Sequence, residues 1–344
     1  MVREPIVLIT GANGEVGHGL IDYLHAQPDV PEIVVLDLHP LAEHQRAMVK
    51  EAIVGDIRDD DLLNDIHARY EIDTIYHLAA LLSTTGERKP ALAHDVNVQG
   101  SAKLLQMASR ESELRGAAVK FIYPSSIAVY GLPNLATKAA HEIVHEEQFL
   151  QPTTMYGCNK LYVEHLGRYY ATHYKQLADT RPLGVDFRCV RFPGLISAHT
   201  VPSGGTSDFG PEMIHAAAQG NPYDCFVRAD TIIPFMAMPD AVHALIQLAE
   251  APRAALSRQI YNVTSFSLTA AEFAQIVRQA FPLAQISFTP DAGRQAIVDT
   301  WPVAVDDRTA RADWSWSPAY DMHRAFADYL LPHIRDRYAQ AVSE

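Results

Sequence analysis

The sequence predicts an α/β protein in which a doubly wound parallel sheet is joined to a smaller, interleaved C-terminal α/β lobe. Three observations predict this fold class. Short apolar runs alternate with helical patterns through the first half. Polar residues are rare within those runs, and the strand–helix order ends after Phe192. Strand–helix alternation is typical of parallel sheets, and continuous apolar strands indicate a sheet that is covered on both faces.

The elements of the first half follow one another in a regular order. The predicted strands are Ile6–Thr10, Ile33–Asp37, Ala52–Val54, Thr74–His77, Phe121–Pro124 and Val185–Phe192. The predicted helices between them are Gly17–Ala26, Asp60–Tyr70, Asn97–Arg110 and Tyr156–Ala178.

The second half has a different composition. Residues 193–235 are rich in Gly, Pro and small polar residues, with one short helix near Glu212–Gln219. A helix at Asp240–Ala251 and a strand at Gln259–Val263 indicate a return to the sheet. Helix Thr269–Phe281, strand Gln285–Phe288 and a terminal helix Asp321–Arg335 complete the pattern. We therefore predict a larger domain of residues 1–192, to which 236–264 return, and a smaller lobe of residues 193–235 and 265–335.

Composition excludes several classes of protein. The 344 residues are 48% hydrophobic, which is enough for a large core. A net charge of -13 argues against a nucleic-acid or anionic membrane surface. The three cysteines, Cys158, Cys189 and Cys225, form no Cys-x-x-Cys pair, so we expect neither disulfides nor a metal site, and a cytoplasmic location. We also expect no secretory signal and no membrane span, since no apolar run approaches about 20 residues.

A glycine-rich loop connects the first strand to the first helix. Gly11, Gly14 and Gly17 permit a tight turn, close approach of a pyrophosphate and close helix–strand packing. The helix N-terminus adds free amide donors and a positive dipole end. The sequence therefore predicts a Rossmann-like dinucleotide site. Its predicted loop contacts are Gly11, Asn13, Gly14, Glu15, Val16 and Gly17.

An aspartate at the end of the second strand indicates which dinucleotide binds. Asp37 lies twenty residues after Gly17, where a carboxylate accepts hydrogen bonds from the adenosine ribose and repels the 2′-phosphate of NADP. No arginine follows it, so NAD is favoured. Asp56 and Ile57, which come after the third strand, are predicted cofactor contacts, and the Asp56 carboxylate can reach the adenine amino group. An ordinary turn aspartate is an almost equal interpretation of Asp56.

A tyrosine and a lysine indicate the chemistry. Tyr156 and Lys160 lie four residues apart at the start of a helix, hence on one face. A tyrosine with a pKa of about 10 needs a nearby cation to act as a base at neutral pH. Ser126, just past a strand, can hold the reacting oxygen, and Ser125 can share that role or face the cofactor. Asn97 can orient the lysine through its backbone or a water. The spacing alone is common by chance, and its position after the glycine loop and the serine pair makes it meaningful.

Together these motifs resemble the extended short-chain dehydrogenase/reductase superfamily, from Ile6 to about Asp328. The matching stretches are Thr10-Gly11-Ala12-Asn13-Gly14-Glu15-Val16-Gly17, His77-Leu78-Ala79-Ala80, Pro124-Ser125-Ser126, Val129-Tyr130-Gly131 and Tyr156-Gly157-Cys158-Asn159-Lys160. The resemblance implies that the cofactor also contacts Leu78, Ala79, Ala80, Asn97, Tyr156 and Lys160. It implies a catalytic set of Ser126, Tyr156 and Lys160, and a homodimer formed by the helices that start at Tyr156 and Asn97.

The second half resembles a narrower family, the short-chain type of L-threonine 3-dehydrogenase. The stretches that carry the resemblance are Arg191–Ser197, Ser203–Asp208, Met238–Ala241, Asp299–Pro302, Asp306-Asp307 and Ala310–Trp314. Two departures are visible. Residues 132–151 are several residues longer than is usual in that family, and Ser83-Thr84-Thr85 makes a hydroxyl-rich loop.

An amino-acid substrate needs a carboxylate site, polar contacts and a methyl-sized pocket. The turn at Gly205 and Thr206 can offer amides and hydroxyls to the carboxylate. Ser83, Ser125, Ser126 and Tyr156 can contact its polar groups. Trp301 is an apolar wall or, with equal weight, a core anchor, and the Gly205 turn is equally well an ordinary surface loop.

The predicted activity is NAD-dependent oxidation of the β-hydroxyl of a small hydroxy amino acid, L-threonine to 2-amino-3-oxobutyrate, with Tyr156 as the base. The alternatives are a dehydrogenase of a sugar acid or another small 3-hydroxy acid, and a nucleotide-sugar epimerase or dehydratase on the same fold. The stretch Arg191-Phe192-Pro193-Gly194 lacks the asparagine with which epimerases usually hold the diphosphate-sugar. A non-catalytic NAD sensor would be expected to lose Tyr156 or Lys160, and both are present.

Overall fold

A computed structural model describes residues 3–27, 32–180, 182–202 and 204–341. Within these ranges the strands are β1 Glu4–Thr10, β2 Ile33–Asp37, β3 Glu51–Val54, β4 Tyr70–His77, β5 Lys120–Ser126, β6 Ile143–Val144, β7 Asp186–Phe192, β8 Gly194–Ile196, β9 Tyr223–Cys225, β10 Ile232–Ala237, β11 Ile260–Asn262, β12 Phe266–Thr269, β13 Ile286–Phe288 and β14 Ala304–Val305.

The helices separate these strands through most of the chain. They are α1 Glu15–His25, α2 Glu43–Arg46, α3 Asp60–Arg69, α4 Ser83–Arg88, α5 Pro90–His94, α6 Ser101–Arg115, α7 Leu135–Ala140, α8 Met155–Thr172, α9 Phe209–Ala218, α10 Met238–Glu250, α11 Ala270–Ala280, α12 Ala292–Asp299, α13 Arg308–Trp314, α14 Met322–Arg324 and α15 Leu331–Ala341. Two π-helical turns, Asp95–Gly100 and Ala325–Leu330, lead into α6 and α15.

The first of two compact units comprises Met1–Ser125, Cys158–Arg191 and Val242–Tyr261. Its seven strands are ordered β3-β2-β1-β4-β5-β7-β11. In the part of this order from β3 to β5, each strand is parallel to its neighbour. Consecutive residues of β1, such as Leu8 and Ile9, are both fully buried, so the sheet is covered on both faces. The predicted fold class is therefore confirmed. The strand order reverses between β1 and β4, and at such a point parallel sheets bind ligands beyond the carboxyl ends of the strands.

The second unit comprises Ser126–Gly157, Phe192–Ala241 and Asn262–Glu344. A three-stranded sheet of β12, β10 and β8 lies at its centre, with β9 paired to β13 and β6 paired to β14. Aromatic side chains form its core: the ring of Phe235 lies 5.7 Å from that of Phe209 and 5.8 Å from that of Phe273. A capping box at Thr269 and Glu272 starts α11.

The structure differs from the sequence-based expectations in the second half of the chain and in the domain boundary. Residues 193–235 contain β8, β9 and the first part of β10 besides the expected helix. The strands β8 and β9 have only three residues each, too few to show alternation, and the six residues of β10 are all apolar and show none. Residues 126–157, expected in the larger domain, belong to the second unit, since β6 pairs with β14.

The predicted helix boundaries also differ from the structure. The helix expected at Asn97–Arg110 is α6, which starts at Ser101 after a π-helical turn, and the helix expected to reach Ala178 is α8, which ends at Thr172.

Candidate active site

The glycine loop lies between β1 and α1, as the sequence predicts. Gly11 has a positive φ of 73°, and a Cβ atom on it would lie 2.5 Å from the backbone nitrogen of Ala79. A Cβ atom on Gly17 would lie 2.4 Å from the carbonyl oxygen of Ala12. Both positions therefore require glycine. Glu15 and Val16 form the first turn of α1, which directs its amide groups toward the loop and can receive a pyrophosphate.

Asp37 ties the end of β2 to the glycine loop. Its Oδ2 accepts a hydrogen bond from the backbone nitrogen of Asn13 at 2.9 Å, and its Oδ1 accepts one from the backbone nitrogen of His39 at 3.0 Å. The side chain of Asn13 donates to the carbonyl oxygen of His39 at 2.7 Å. A carboxylate has about four lone-pair sites, so Asp37 retains acceptor capacity for a ribose diol.

Asp56 is engaged by a neighbouring cation. Its carboxylate binds the guanidinium of Arg58 in a paired arrangement, with distances of 3.0 Å from Nε to Oδ1 and 2.6 Å from Nη2 to Oδ2. The hydrogen bonds from Arg58 lower the pKa of Asp56. Ile57 is buried against Gly100, where a Cβ atom would lie 2.5 Å from Ile57 Cδ1. Ile57 thus packs against the turn that holds Gly100, and the cofactor contacts of Asp56 and Ile57 stay predictions.

The loop that follows β4 lies beside Gly11. The backbone nitrogen of Leu78 donates to the carbonyl oxygen of Thr10 at 3.0 Å. Asn97 holds the end of this loop, because its Oδ1 accepts from the backbone nitrogen of Leu81 at 2.7 Å and its Nδ2 donates to the carbonyl oxygen of Leu81 at 3.0 Å. The side chain of Asn97 therefore holds the end of the loop that contains Ala79 and Ala80, and its role beside Lys160 stays a prediction.

His77 ends β4, and both of its ring nitrogens are hydrogen-bonded to buried hydroxyl groups. Its Nδ1 lies 2.8 Å from Thr10 Oγ1, and its Nε2 lies 2.7 Å from Ser101 Oγ. Burial lowers the pKa of His77 to about 3, so the ring is neutral.

Lys160 lies on α8 in a buried position. Its Nζ donates to the carbonyl oxygen of Pro124 at 2.7 Å and lies 4.5 Å from the centre of the Tyr123 ring. Burial lowers the pKa of Lys160 to about 8, although the nearby Glu164 carboxylate acts in the opposite direction. The ammonium is thus fixed near the carboxyl end of β5, the strand that ends at Ser126.

Tyr156 lies one turn before Lys160 on the same helix. Burial raises the pKa of its phenol. The start of the helix is held close to the segment after β5, since a Cβ atom on Gly157 would lie 2.0 Å from the carbonyl oxygen of Ala128. Thr154 caps the turn by accepting a hydrogen bond from the backbone nitrogen of Gly157 at 3.1 Å. This close approach places Tyr156 near the segment that begins at Ser126.

The two serines have different environments. Ser125 is buried, and its hydroxyl donates to Glu164 Oε1 at 2.5 Å. The hydroxyl of Ser126 accepts a hydrogen bond from the backbone nitrogen of Ala128 at 3.2 Å, a contact that uses its lone pair and not its proton. Ser125 therefore belongs to a buried network, and the roles of Ser126 and Ser125 at the substrate oxygen stay predictions.

That network contains an ion pair that sequence reasoning missed. Arg191 donates to Glu164 through Nε at 2.9 Å and through Nη2 at 2.6 Å, and the two side chains are 2% and 1% exposed. Glu164 follows Lys160 by one helical turn, and Arg191 lies near the end of β7. The available signal was Arg191 itself, since a charged residue inside a predicted buried strand rarely remains unpaired. Together with Ser125, the pair connects β5, α8 and β7.

The predicted substrate residues lie in several places. Ser83 is partly buried and begins α4, and Thr206 and Trp301 are buried in the second unit. The amide of Gly205 donates to Asp208 Oδ2 at 2.6 Å, and its carbonyl oxygen accepts from Arg294 at 2.7 Å. A substrate carboxylate would therefore have to compete with the carboxylate of Asp208 for the amide of Gly205. The substrate contacts of Ser83, Thr206 and Trp301 stay predictions.

Two further expectations concern metals and membranes. Within the described ranges, no three His, Cys, Asp or Glu side chains gather as metal ligands, and Cys158, Cys189 and Cys225 are all free thiols. No helix in that part of the chain has the length and apolar character needed to cross a membrane.

Replacing Asp37 with serine is expected to raise the ratio of kcat/KM for NADP to that for NAD by about 100-fold. The change removes charge-assisted hydrogen bonds, each with an effect of about 1.5–3 kcal/mol, and also the repulsion of a 2′-phosphate. Steady-state kinetics with both cofactors measure the ratio. Asp22→Ser removes one exposed carboxylate from α1 and serves as the charge-matched control. An unchanged ratio in Asp37→Ser would exclude Asp37 from the ribose site.

Comparison with known proteins agrees with this geometry. The model of the NAD dependent epimerase/dehydratase family matches residues 7–264. The mitochondrial L-threonine 3-dehydrogenase of Sus scrofa is 34% identical over 340 residues, which are 98% of this chain and 86% of that protein. The X-ray structure of L-threonine dehydrogenase from Clostridium difficile matches with a TM-score of 0.83 and 30% identity, over 98% of this chain and 99% of that one. A monomeric L-threonine 3-dehydrogenase from a metagenome matches with a TM-score of 0.82 and 32% identity, with the same coverage.

Proposed function

The chain belongs to the NAD-dependent epimerase/dehydratase family, and we propose that it oxidises L-threonine to 2-amino-3-oxobutyrate. The family match confirms the predicted superfamily and its NAD cofactor. The single observation that carries the substrate is the similarity to an L-threonine 3-dehydrogenase over 98% of the chain, since that length includes the second unit with Thr206 and Trp301. In this proposal the first unit binds NAD and the second holds the amino acid.

The residues of the first unit fit NAD. Gly11 and Gly17 keep the loop free of side chains where the pyrophosphate would approach, and α1 presents its N-terminus there. Asp37 would hold the adenosine ribose, and Lys160 the nicotinamide ribose. Bound NAD supplies the acceptor for the hydride that leaves the β-carbon.

Proton removal is the task of the protein. Tyr156 takes the proton of the β-hydroxyl as a phenolate, and Ser126 holds the oxygen through its own hydroxyl proton. Because burial raises the pKa of Tyr156, the phenolate needs a cation to form near neutral pH. Lys160 provides it, and its hydrogen bond to the carbonyl oxygen of Pro124 fixes where that charge lies.

Replacing Lys160 with methionine is expected to move the pH dependence of oxidation to higher pH. In the native protein kcat/KM rises with pH as Tyr156 loses its proton. An opposite charge lowers a pKa by about 1–3 units, so its loss should shift the rise by about one unit or more in the alkaline direction. Profiles of kcat/KM from about pH 6 to pH 10 measure the shift. Lys160→Arg keeps the cation and should shift the profile less, whereas an unmoved profile in Lys160→Met would contradict the role.

A substrate panel tests the proposed activity. Purified protein with NAD is given L-threonine, L-serine, 3-hydroxybutyrate and sugar acids, and the absorbance of the reduced nicotinamide is followed. The highest kcat/KM is expected for L-threonine. Higher turnover of a sugar acid or 3-hydroxybutyrate would overturn the substrate and keep the reaction type. The family also includes epimerases, which recycle the cofactor, so turnover of a nucleotide sugar without net reduction would replace the proposal with that activity.

We also propose that the protein is a cytoplasmic homodimer. Tyr162 and Tyr169 leave 54% and 41% of their surface exposed on α8, an apolar face that a second copy can cover. The three free thiols suit a reducing compartment. Relatives differ in both respects, since one is described as monomeric and another as mitochondrial. Sedimentation at micromolar concentration decides the first point, and a monomer would contradict the homodimer.

A further inference from the structure

The segment between the catalytic serine and tyrosine makes hydrogen bonds on both sides of Trp301. Before Trp301, the backbone nitrogen of Leu132 donates to the carbonyl oxygen of Thr300 at 2.9 Å, and Thr153 Oγ1 lies 3.2 Å from Thr300 Oγ1. After it, β14 pairs with β6, and the backbone nitrogen of Ala304 donates to the carbonyl oxygen of Glu142 at 3.0 Å. This segment includes residues 132–151, which the sequence predicts to be longer than is usual in the family. We call residues 132–153 the bracing segment.

One side chain of the bracing segment shares a hydrogen-bond acceptor with Trp301. The carbonyl oxygen of Val298, near the end of α12, accepts from the backbone nitrogen of Trp301 at 3.1 Å and from Lys138 Nζ at 3.2 Å. Lys138 lies on α7 and is only 5% exposed, as is Trp301. An ammonium at the carboxyl end of a helix interacts favourably with its unpaired carbonyl groups. The charge of Lys138 therefore acts on the carbonyl oxygen that also holds Trp301.

The surroundings of Lys138 explain how a buried cation is tolerated. Burial lowers its pKa to about 8, the negative charge of Asp299 opposes that change, and Arg228 reinforces it. Asp299 itself binds Arg228 in a paired arrangement, with both distances at 2.9 Å. No catalytic step uses Lys138. A buried lysine costs stability, so its presence calls for a function.

We propose that Lys138 is a positioning residue for Trp301, through which the bracing segment sets the depth of the pocket for the substrate side chain. The inference rests on the proposed function, because it takes Trp301 as the wall that contacts the methyl group of L-threonine. A wall held in place accepts a methyl group and rejects a longer chain. A wall that is free to move accepts both.

The test compares Lys138→Met with the native protein on two substrates, L-threonine and 3-hydroxynorvaline, which is one methylene longer. One methylene in an apolar pocket changes kcat/KM by about 10–200-fold. In Lys138→Met the preference for L-threonine is expected to fall by about tenfold, mainly through KM, with kcat nearly unchanged. Lys138→Arg keeps the cation and should retain more of the preference. Thr153→Val removes a second contact with Thr300 and should lower the preference less. Lys175→Met, at an exposed lysine, is the matched control.

Hydrogen exchange measures the same effect without turnover. The peptide that covers residues 298–304 is expected to exchange faster in Lys138→Met by a factor of about three or more, while the melting temperature does not fall, since a buried charge has been removed. An unchanged preference together with unchanged exchange would overturn the proposal. A lower melting temperature with equal losses on both substrates would also overturn it, because Lys138 would then be a general structural residue. If the native protein did not oxidise L-threonine, the proposed function would fail, and the exchange result would still show whether Lys138 holds Trp301.

Discussion

Replacing Tyr156 with phenylalanine is expected to lower kcat for L-threonine by a factor of about 10²–10⁴, with little change in the affinity for NAD. The substitution removes one oxygen atom, the one that takes the substrate proton, and keeps the buried ring. The glycine loop and Asp37 are unaffected, so the dinucleotide should bind as before.

The matched control for that variant is Tyr162→Phe, at an exposed tyrosine on the same helix. It should keep nearly full activity, because its hydroxyl has no part in the proposed reaction. Steady-state kinetics and a fluorescence titration with reduced cofactor give the two readouts. A Tyr156→Phe enzyme that still turned over L-threonine at the native rate would require another base.

The second large effect is expected on stability. Replacing Arg191 with methionine should destabilise the protein by about 3–5 kcal/mol, because Glu164 would remain as a buried charge without its cation. Both side chains are almost fully buried, and Glu164 also accepts a hydrogen bond from the hydroxyl of Ser125. The loss therefore disturbs the strand end that carries the two serines, and activity should fall together with stability.

A double variant separates the charge effect from the loss of packing. In Glu164→Leu with Arg191→Met, neither charge remains, and most of the stability should return, since apolar residues often replace a buried ion pair without loss. Midpoints of urea unfolding, followed by circular dichroism, compare the three proteins. If Arg191→Met unfolded at the native midpoint, the ion pair would be unimportant for the fold.

The sequence predicted the sheet and the glycine loop between β1 and α1 well, because both depend on local patterns. Apolar runs specify buried parallel strands, and the spacing of Gly11, Gly14 and Gly17 requires a turn whose geometry is local. The order of the motifs along the chain then identified Tyr156 and Lys160 on one helix, as the structure has them.

The remaining features depend on contacts between residues that are distant in the sequence. Arg191 meets Glu164 across 27 positions, and Lys138 reaches Val298 across 160. Neither pairing leaves a pattern that one sequence can show. Asn97 is a further example. Its side chain binds the backbone of Leu81, and a contact with a backbone group leaves no side-chain pattern in the sequence.

Transfer of deuterium from the substrate to the cofactor tests the central claim most directly. L-threonine that carries deuterium at the β-carbon is incubated with the purified protein and NAD, and the reduced cofactor is isolated for mass spectrometry. The proposed reaction predicts one deuterium in the nicotinamide ring and a slower reaction than with unlabelled substrate. Reduced cofactor without deuterium, or no net reduction of NAD while other substrates are converted, would contradict it.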